Sequence, residues 1–89
     1  MASYRPITEE IAAPTTSGGA VTVSDADIVR VVNTTTSPHL VTVLDSNDVT
    51  IGSMTLTSGE KVFLKKREGD KLYAANAGIR FTRITYPVM

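Results

Sequence analysis

Ile28-Val29-Arg30-Val31-Val32 and Leu40-Val41-Thr42-Val43-Leu44 are two runs rich in β-branched residues, joined by the polar stretch Asn33-Thr34-Thr35-Thr36-Ser37-Pro38-His39. β-Branched side chains suit a pleated, half-buried surface, and such runs bounded by turn-formers read as strands. Working outward, residues 21–23, 49–57, 61–66, 71–75 and 79–86 repeat the pattern. Between them sit Ser24-Asp25, Asp45-Ser46-Asn47-Asp48, Ser58-Gly59, Glu68-Gly69-Asp70 and Asn76-Ala77-Gly78. No segment carries apolar residues at i, i+3, i+4 and i+7 over three turns, which excludes a helical domain. The expected fold is all-β, a small antiparallel β-sandwich, Ig-like or jelly-roll-like, of about six to seven strands.

Alternation along each run assigns its faces, because successive side chains of a strand point to opposite sides of the sheet. Val62 and Leu64 share one face, and Lys61, Phe63 and Lys65 share the other. Val31, Val43, Val62, Leu64, Leu72 and Phe81 form the expected core. Val49 and Ile51 are out of phase with Met54 and Leu56, which places a bulge at Gly52-Ser53, where one extra residue changes the register. Ile79 and Phe81 stand in the same relation to Ile84 and Tyr86, through either a similar slip or cover on both faces.

Residues 1–19 differ from the rest. Pro6, Pro14 and Thr15-Thr16-Ser17-Gly18-Gly19 punctuate them heavily. Thr8 is placed to cap a single helical turn through Glu9, Glu10, Ile11 and Ala12, which must end before Pro14. The expected organisation is an extended N-terminal arm over 1–19 and a β-sandwich domain over 20–89. Tyr4, Ile7 and Ile11 are the arm's candidate contact residues, joined by Phe63 on the polar phase of its strand.

Composition narrows the function classes. The 89-residue chain has nine Lys plus Arg, nine Asp plus Glu and no cysteine. A chain of this length makes one domain. The absence of cysteine excludes a disulfide framework and a thiolate metal site. A zero formal charge argues against nucleic acid and anionic membrane as partners, since both ask for a basic excess. Residues 1–14 contain no uninterrupted apolar stretch and do not read as a secretory signal.

No catalytic constellation is legible. His39 is the single histidine, it follows Pro38, and it reads as an exposed loop residue. No nucleophile-elbow pattern surrounds a serine. Asp45-Ser46-Asn47-Asp48 opens like a calcium loop, but Thr50 and Leu56 stand where glycine and glutamate are needed, so it reads as a hairpin turn. In Lys65-Lys66-Arg67 the neighbouring side chains are sent to opposite faces. Asn33-Thr34-Thr35 matches a glycosylation acceptor, a triplet common by chance. The expectation is a protein that is not an enzyme and uses no cofactor, metal or small-molecule substrate.

One resemblance is carried by Val31-Val32-Asn33-Thr34, Val41-Thr42-Val43, Ile51-Gly52-Ser53-Met54-Thr55-Leu56 and Ser58-Gly59-Glu60-Lys61-Val62. It continues through Asp70-Lys71-Leu72-Tyr73-Ala74-Ala75-Asn76 and Phe81-Thr82-Arg83-Ile84-Thr85-Tyr86. These runs, within residues 28–87, resemble small β-sandwich structural proteins of marine and cyanobacterial tailed phages, either capsid decoration (cement-like) or tail-associated. The resemblance implies a virion protein, assembled in the host cytoplasm, that bridges and stabilises neighbouring capsid subunits. Its partners would be other virion proteins, the major capsid protein first, and a homo-oligomer on the particle is possible. The alternative is a tail or fibre component with a host-surface glycan role. A small cellular binding domain or inhibitor is a third reading. The motifs specify turns and core, so no binding residue transfers with them.

Overall fold

The computed structural model describes residues 5–85. Seven antiparallel strands form two packed sheets. In chain order they are β1 (Ile11–Ala12), β2 (Ile28–Asn33), β3 (His39–Leu44), β4 (Thr50–Leu56), β5 (Lys61–Lys65), β6 (Lys71–Ala74) and β7 (Ile79–Arg83). One sheet has the order β1-β7-β2-β5 and the other β4-β3-β6. The sandwich expected from the spacing of the runs is the fold.

Alternation decides what is buried. Val29, Val31 and Asn33 on β2 share a face with Ile79 and Phe81 on β7, and all are buried. Across the interlayer they meet Val41, Leu56, Leu72 and Ala74. Burying a Val, Leu or Phe side chain stabilises by about 1.5–3 kcal/mol each, so this interlayer is the main source of stability. Val31, Leu72 and Phe81 are core as expected, whereas Val43, Val62 and Leu64 are only half-buried and pack against the core from its border. For Val43 and Leu64 the reason is an open cleft of about 280 Å³ between β4 and β5, which they line with Ile51 and Met54.

The phase change in β4 is a bulge. Val43 pairs with Gly52 and Leu44 with Thr50, so Ile51 is the extra residue, one position before the expected site. At the end of β7 both faces are covered. Ile84 is buried, bridges to Pro6 and lines a surface depression beside Thr82. Tyr86 lies outside the described residues.

The N-terminal segment is where the structure departs most from the sequence reading. Its described part is laid along the sandwich rather than extended as an arm. β1 pairs with β7, the Ile7 amide donates to Arg83 O at 2.8 Å and the Ala13 amide to Ile79 O at 2.8 Å, and Ala13 is a core residue. The chain then crosses to the other sheet, where Pro14 O accepts from the Ala74 amide at 3.0 Å. Residues on both sides of Gly19 thus contribute to one core, Ala13 before it and Val23 after it. The expected helical turn is also absent, because Ile11 and Ala12 are held extended by β7, and the Thr8 hydroxyl accepts from the Arg83 amide at 3.3 Å instead.

The expected strand over 21–23 is reduced to one bridge. Val21 and Leu72 exchange backbone bonds of 3.1 and 2.7 Å, after which Val23, Ser24 and Asp25 take φ of 55°, 57° and 56°. Left-handed backbone costs an L-residue roughly 1–2 kcal/mol and is an outlier for a β-branched one. What holds the turn is the burial of Val23 in the core, with the Ala26 amide donating to Thr22 O and Val23 O.

Candidate functional site

The outer face of the four-stranded sheet gathers cations. Antiparallel partners share a face. Val32 pairs with Lys61 and with Arg80, Arg30 with Phe63 and with Thr82, and Ile28 with Lys65. Since Val29, Val31 and Phe81 point to the core, these rows point away from it. Arg30, Lys61, Lys65 and Arg80 thus lie on one face of a chain whose formal charge is zero.

Among the described residues Glu10 is the acid paired on this face, its Oε2 3.7 Å from Arg30 Nη1. Arg30 is the centre of the face. With Glu10, Pro6, Thr8, Thr82 and Ile84 it lines a depression of about 380 Å³. Among the described residues its Nε is enclosed without a hydrogen-bond partner. The ion pair is long and the side chain is about a quarter exposed, so its terminal N–H groups can meet a further acceptor from outside, which the enclosed Nε cannot. Phe63, half exposed, stands next to Arg30 in the same row.

Of the expected contact residues, Tyr4 lies outside the described residues. Ile7, Ile11 and Phe63 are exposed, at 48%, 38% and 50%. They are not brought together. β1 and β5 are opposite edges of one sheet, three strand spacings or about 14 Å apart, and Ile11 is in register with core-facing Phe81 rather than with the Phe63 row. Sequence reading missed Arg30 and Arg80. Their only signal was phase within separate strands, and register alone aligns them with Lys61 and Lys65.

Other chemistry-bearing residues have structural places. His39 opens β3 half-buried rather than standing free in a loop. Asp45 Oδ1 accepts from the amides of Asn47 at 2.8 Å and Val49 at 3.0 Å, and Asp48 has φ 64°, so the acidic run is a hairpin turn. Among the described residues no group of three or more His, Cys, Asp or Glu is placed to hold a metal. Asn33 is fully buried, which closes it to glycosylation in the folded chain.

Lys66 is buried between exposed Lys65 and Arg67, its amine donating to Arg67 O at 3.2 Å and Glu68 O at 3.3 Å. Burial lowers its pKa from the ordinary 10.5, opposed in part by Asp70, Asp25, Asp27 and Glu68. Between the lowered folded value and 10.5 the unfolded chain binds more protons, so stability rises with pH through that interval. Below the folded value both states are charged and the contribution is flat. Lys66→Met is expected to remove this alkaline rise; a Tm-against-pH profile that keeps it would assign the rise to another group.

Comparison with protein-family models, with curated proteins and with solved structures returns no match.

Proposed function

We propose that this protein is a structural virion protein, a capsid decoration or cement protein that bridges neighbouring capsid subunits through the cationic face of its four-stranded sheet. The observation that supports this reading is the grouping of Arg30, Lys61 and Arg80 on a single sheet face, with Glu10 the acid paired there among the described residues, within a chain of nine and nine. Such a face fits an acidic protein surface, because complementary potentials fix register and suppress wrong partners. Phe63 beside Arg30 gives the contact an apolar anchor next to its strongest donor, the pairing that dominates many interfaces. An acidic region of a major capsid protein is the partner this chemistry fits. Many copies on a lattice would gain effective concentration that a single weak contact lacks.

The test is decoration of stripped capsids with Arg30→Glu/Lys61→Glu. Affinity is expected to fall by about tenfold or more, and the wild-type affinity to weaken as salt rises. The melting temperature is expected to fall modestly, because Arg30→Glu sets two carboxylates where the Glu10 ion pair stood, while the chain stays folded at the assay temperature. Binding unchanged by the double reversal and by salt would reject this face as the contact. Copy number in purified particles separates the two virion readings, hundreds for a capsid protein and a handful for a tail or fibre component.

A further inference from the structure

Among the described residues the sandwich has four sheet edges, and three of them are protected. β1 is two residues long and is followed by Pro14. β6 is covered by Val21 and Pro14, which bond to Leu72 and Ala74. β5 carries exposed Lys61 and Lys65. Short length, cover and charge are the devices by which edges avoid pairing with other chains. β4 has none of these three, its one device being the bulge at Ile51 near the strand's start. It is seven residues long, Thr50-Ile51-Gly52-Ser53-Met54-Thr55-Leu56, with no charge, no proline, and every residue exposed but Leu56. Beyond its ladder with β3, among the described residues only Leu56 O is engaged, by Asn33.

We infer that the β4 edge is occupied by β4 of a second copy, antiparallel about a two-fold axis, so that the two three-stranded sheets become one six-stranded sheet. Pairing the strand beyond its bulge with its own copy puts Ser53 opposite Ser53 and Gly52 opposite Met54 of the second copy. Gly52 and Met54 lie on the inward face, paired with Val43 and Val41 and bordering the apolar cleft. A Cβ at Gly52 would meet nothing within 4 Å, so a hollow stands where the other copy's Met54 arrives, twice by symmetry. Charge agrees with the choice of strand. Two copies of β4 bring no like charges together, whereas the same operation on β5 would set Lys61 against Lys65 at both ends. This inference does not depend on the particle, because the dimer forms from the protein alone.

Sedimentation equilibrium of the full chain reads it directly. The wild type is expected to approach twice 9.5 kDa as concentration rises. Gly52→Ile fills the hollow on a backbone without positive φ, and is expected to weaken dimerisation by about tenfold or more while leaving the far-UV spectrum of the dilute protein unchanged. With no native cysteine, single replacements report the register. Ser53→Cys is expected to form a disulfide-linked dimer under mild oxidation. Thr55→Cys is not, since two such residues would stand more than about 13 Å apart along the strands, beyond disulfide reach. A wild type monomeric up to about 1 mM, a dimer indifferent to Gly52→Ile, or Thr55→Cys cross-linking as readily as Ser53→Cys would each overturn the inference.

Discussion

Asn33→Ala is expected to lower stability by about 3–5 kcal/mol, enough to drop the Tm of a domain this size by roughly 15–30 °C. Asn33 ends β2 with no exposed surface and uses its whole amide. Its Nδ2 donates to Leu56 O at 2.9 Å and Ser37 O at 2.8 Å, while its Oδ1 accepts from the Thr35 amide at 2.8 Å and the Thr35 hydroxyl at 2.7 Å. The bond to Leu56 ties the four-stranded sheet to β4 of the other, and the remaining three shape the crossover between β2 and β3. Alanine would leave a buried carbonyl unpaired, and such a group costs about 1–3 kcal/mol by itself. Asn33→Asp sharpens the test. It keeps the shape and the acceptor for Thr35, but sets an anionic oxygen against two carbonyls, so at neutral pH it should be at least as damaging as alanine. In acid, where a protonated carboxyl can donate once, part of the loss should return. A denaturation midpoint for Asn33→Ala that implies a loss below about 1 kcal/mol would mean that the tie between the sheets is not needed.

The strands were legible because apolar, β-branched runs bounded by turn-formers mark them, and β2 and β6 alternate strictly in burial. The bulge was legible to within one residue because Ile51 and Met54 cannot face the same way in a regular strand. Burial at the border was not legible. Val43, Val62 and Leu64 have core phase, but phase says which side a residue faces and nothing about whether the opposite layer reaches it; the cleft between β4 and β5 leaves Val43 and Leu64 half covered. Asn33 looked like one letter of a chance glycosylation triplet, since a polar residue announces no partner until the fold supplies Leu56 O. The left-handed turn at Val23-Ser24-Asp25 opposes local propensity, so only core burial of Val23 accounts for it. The cationic face was illegible for a different reason. Arg30 and Arg80 are fifty positions apart, and β2 pairing with both β5 and β7 creates the surface they share with Lys61 and Lys65.

Deleting residues 1–19 is expected to abolish cooperative folding rather than to release a stable sandwich. The described part of this segment closes one side of the molecule. It gives β7 its neighbour through β1, and it bonds Ile7 to Arg83, Ala13 to Ile79, Pro14 to Ala74 and Arg5 O to the Thr85 amide. At about 0.5–1.5 kcal/mol net each, these four backbone bonds alone contribute roughly 2–6 kcal/mol. Ala13 leaves the core with them, and Ile84 loses the cover of Pro6. β7 becomes an exposed edge directly beside Ile79 and Phe81. Deletion also removes the segment's own ordering cost, about 1–2 kcal/mol per residue, so the expected loss rests on the core and sheet-edge surface uncovered as well as on the bonds. Against a total stability of about 5–15 kcal/mol for a small domain, the loss consumes most of what exists. Two single replacements separate docking from length. Ala13→Asp places a charge in the core and should cost several kcal/mol, while Ile7→Asp changes an exposed side chain and should shift the midpoint little. Circular dichroism melts of the truncated chain and of both variants measure these losses. A truncated protein that still melts cooperatively within about 5 °C of the full chain would show that the segment only rests on a sandwich complete without it.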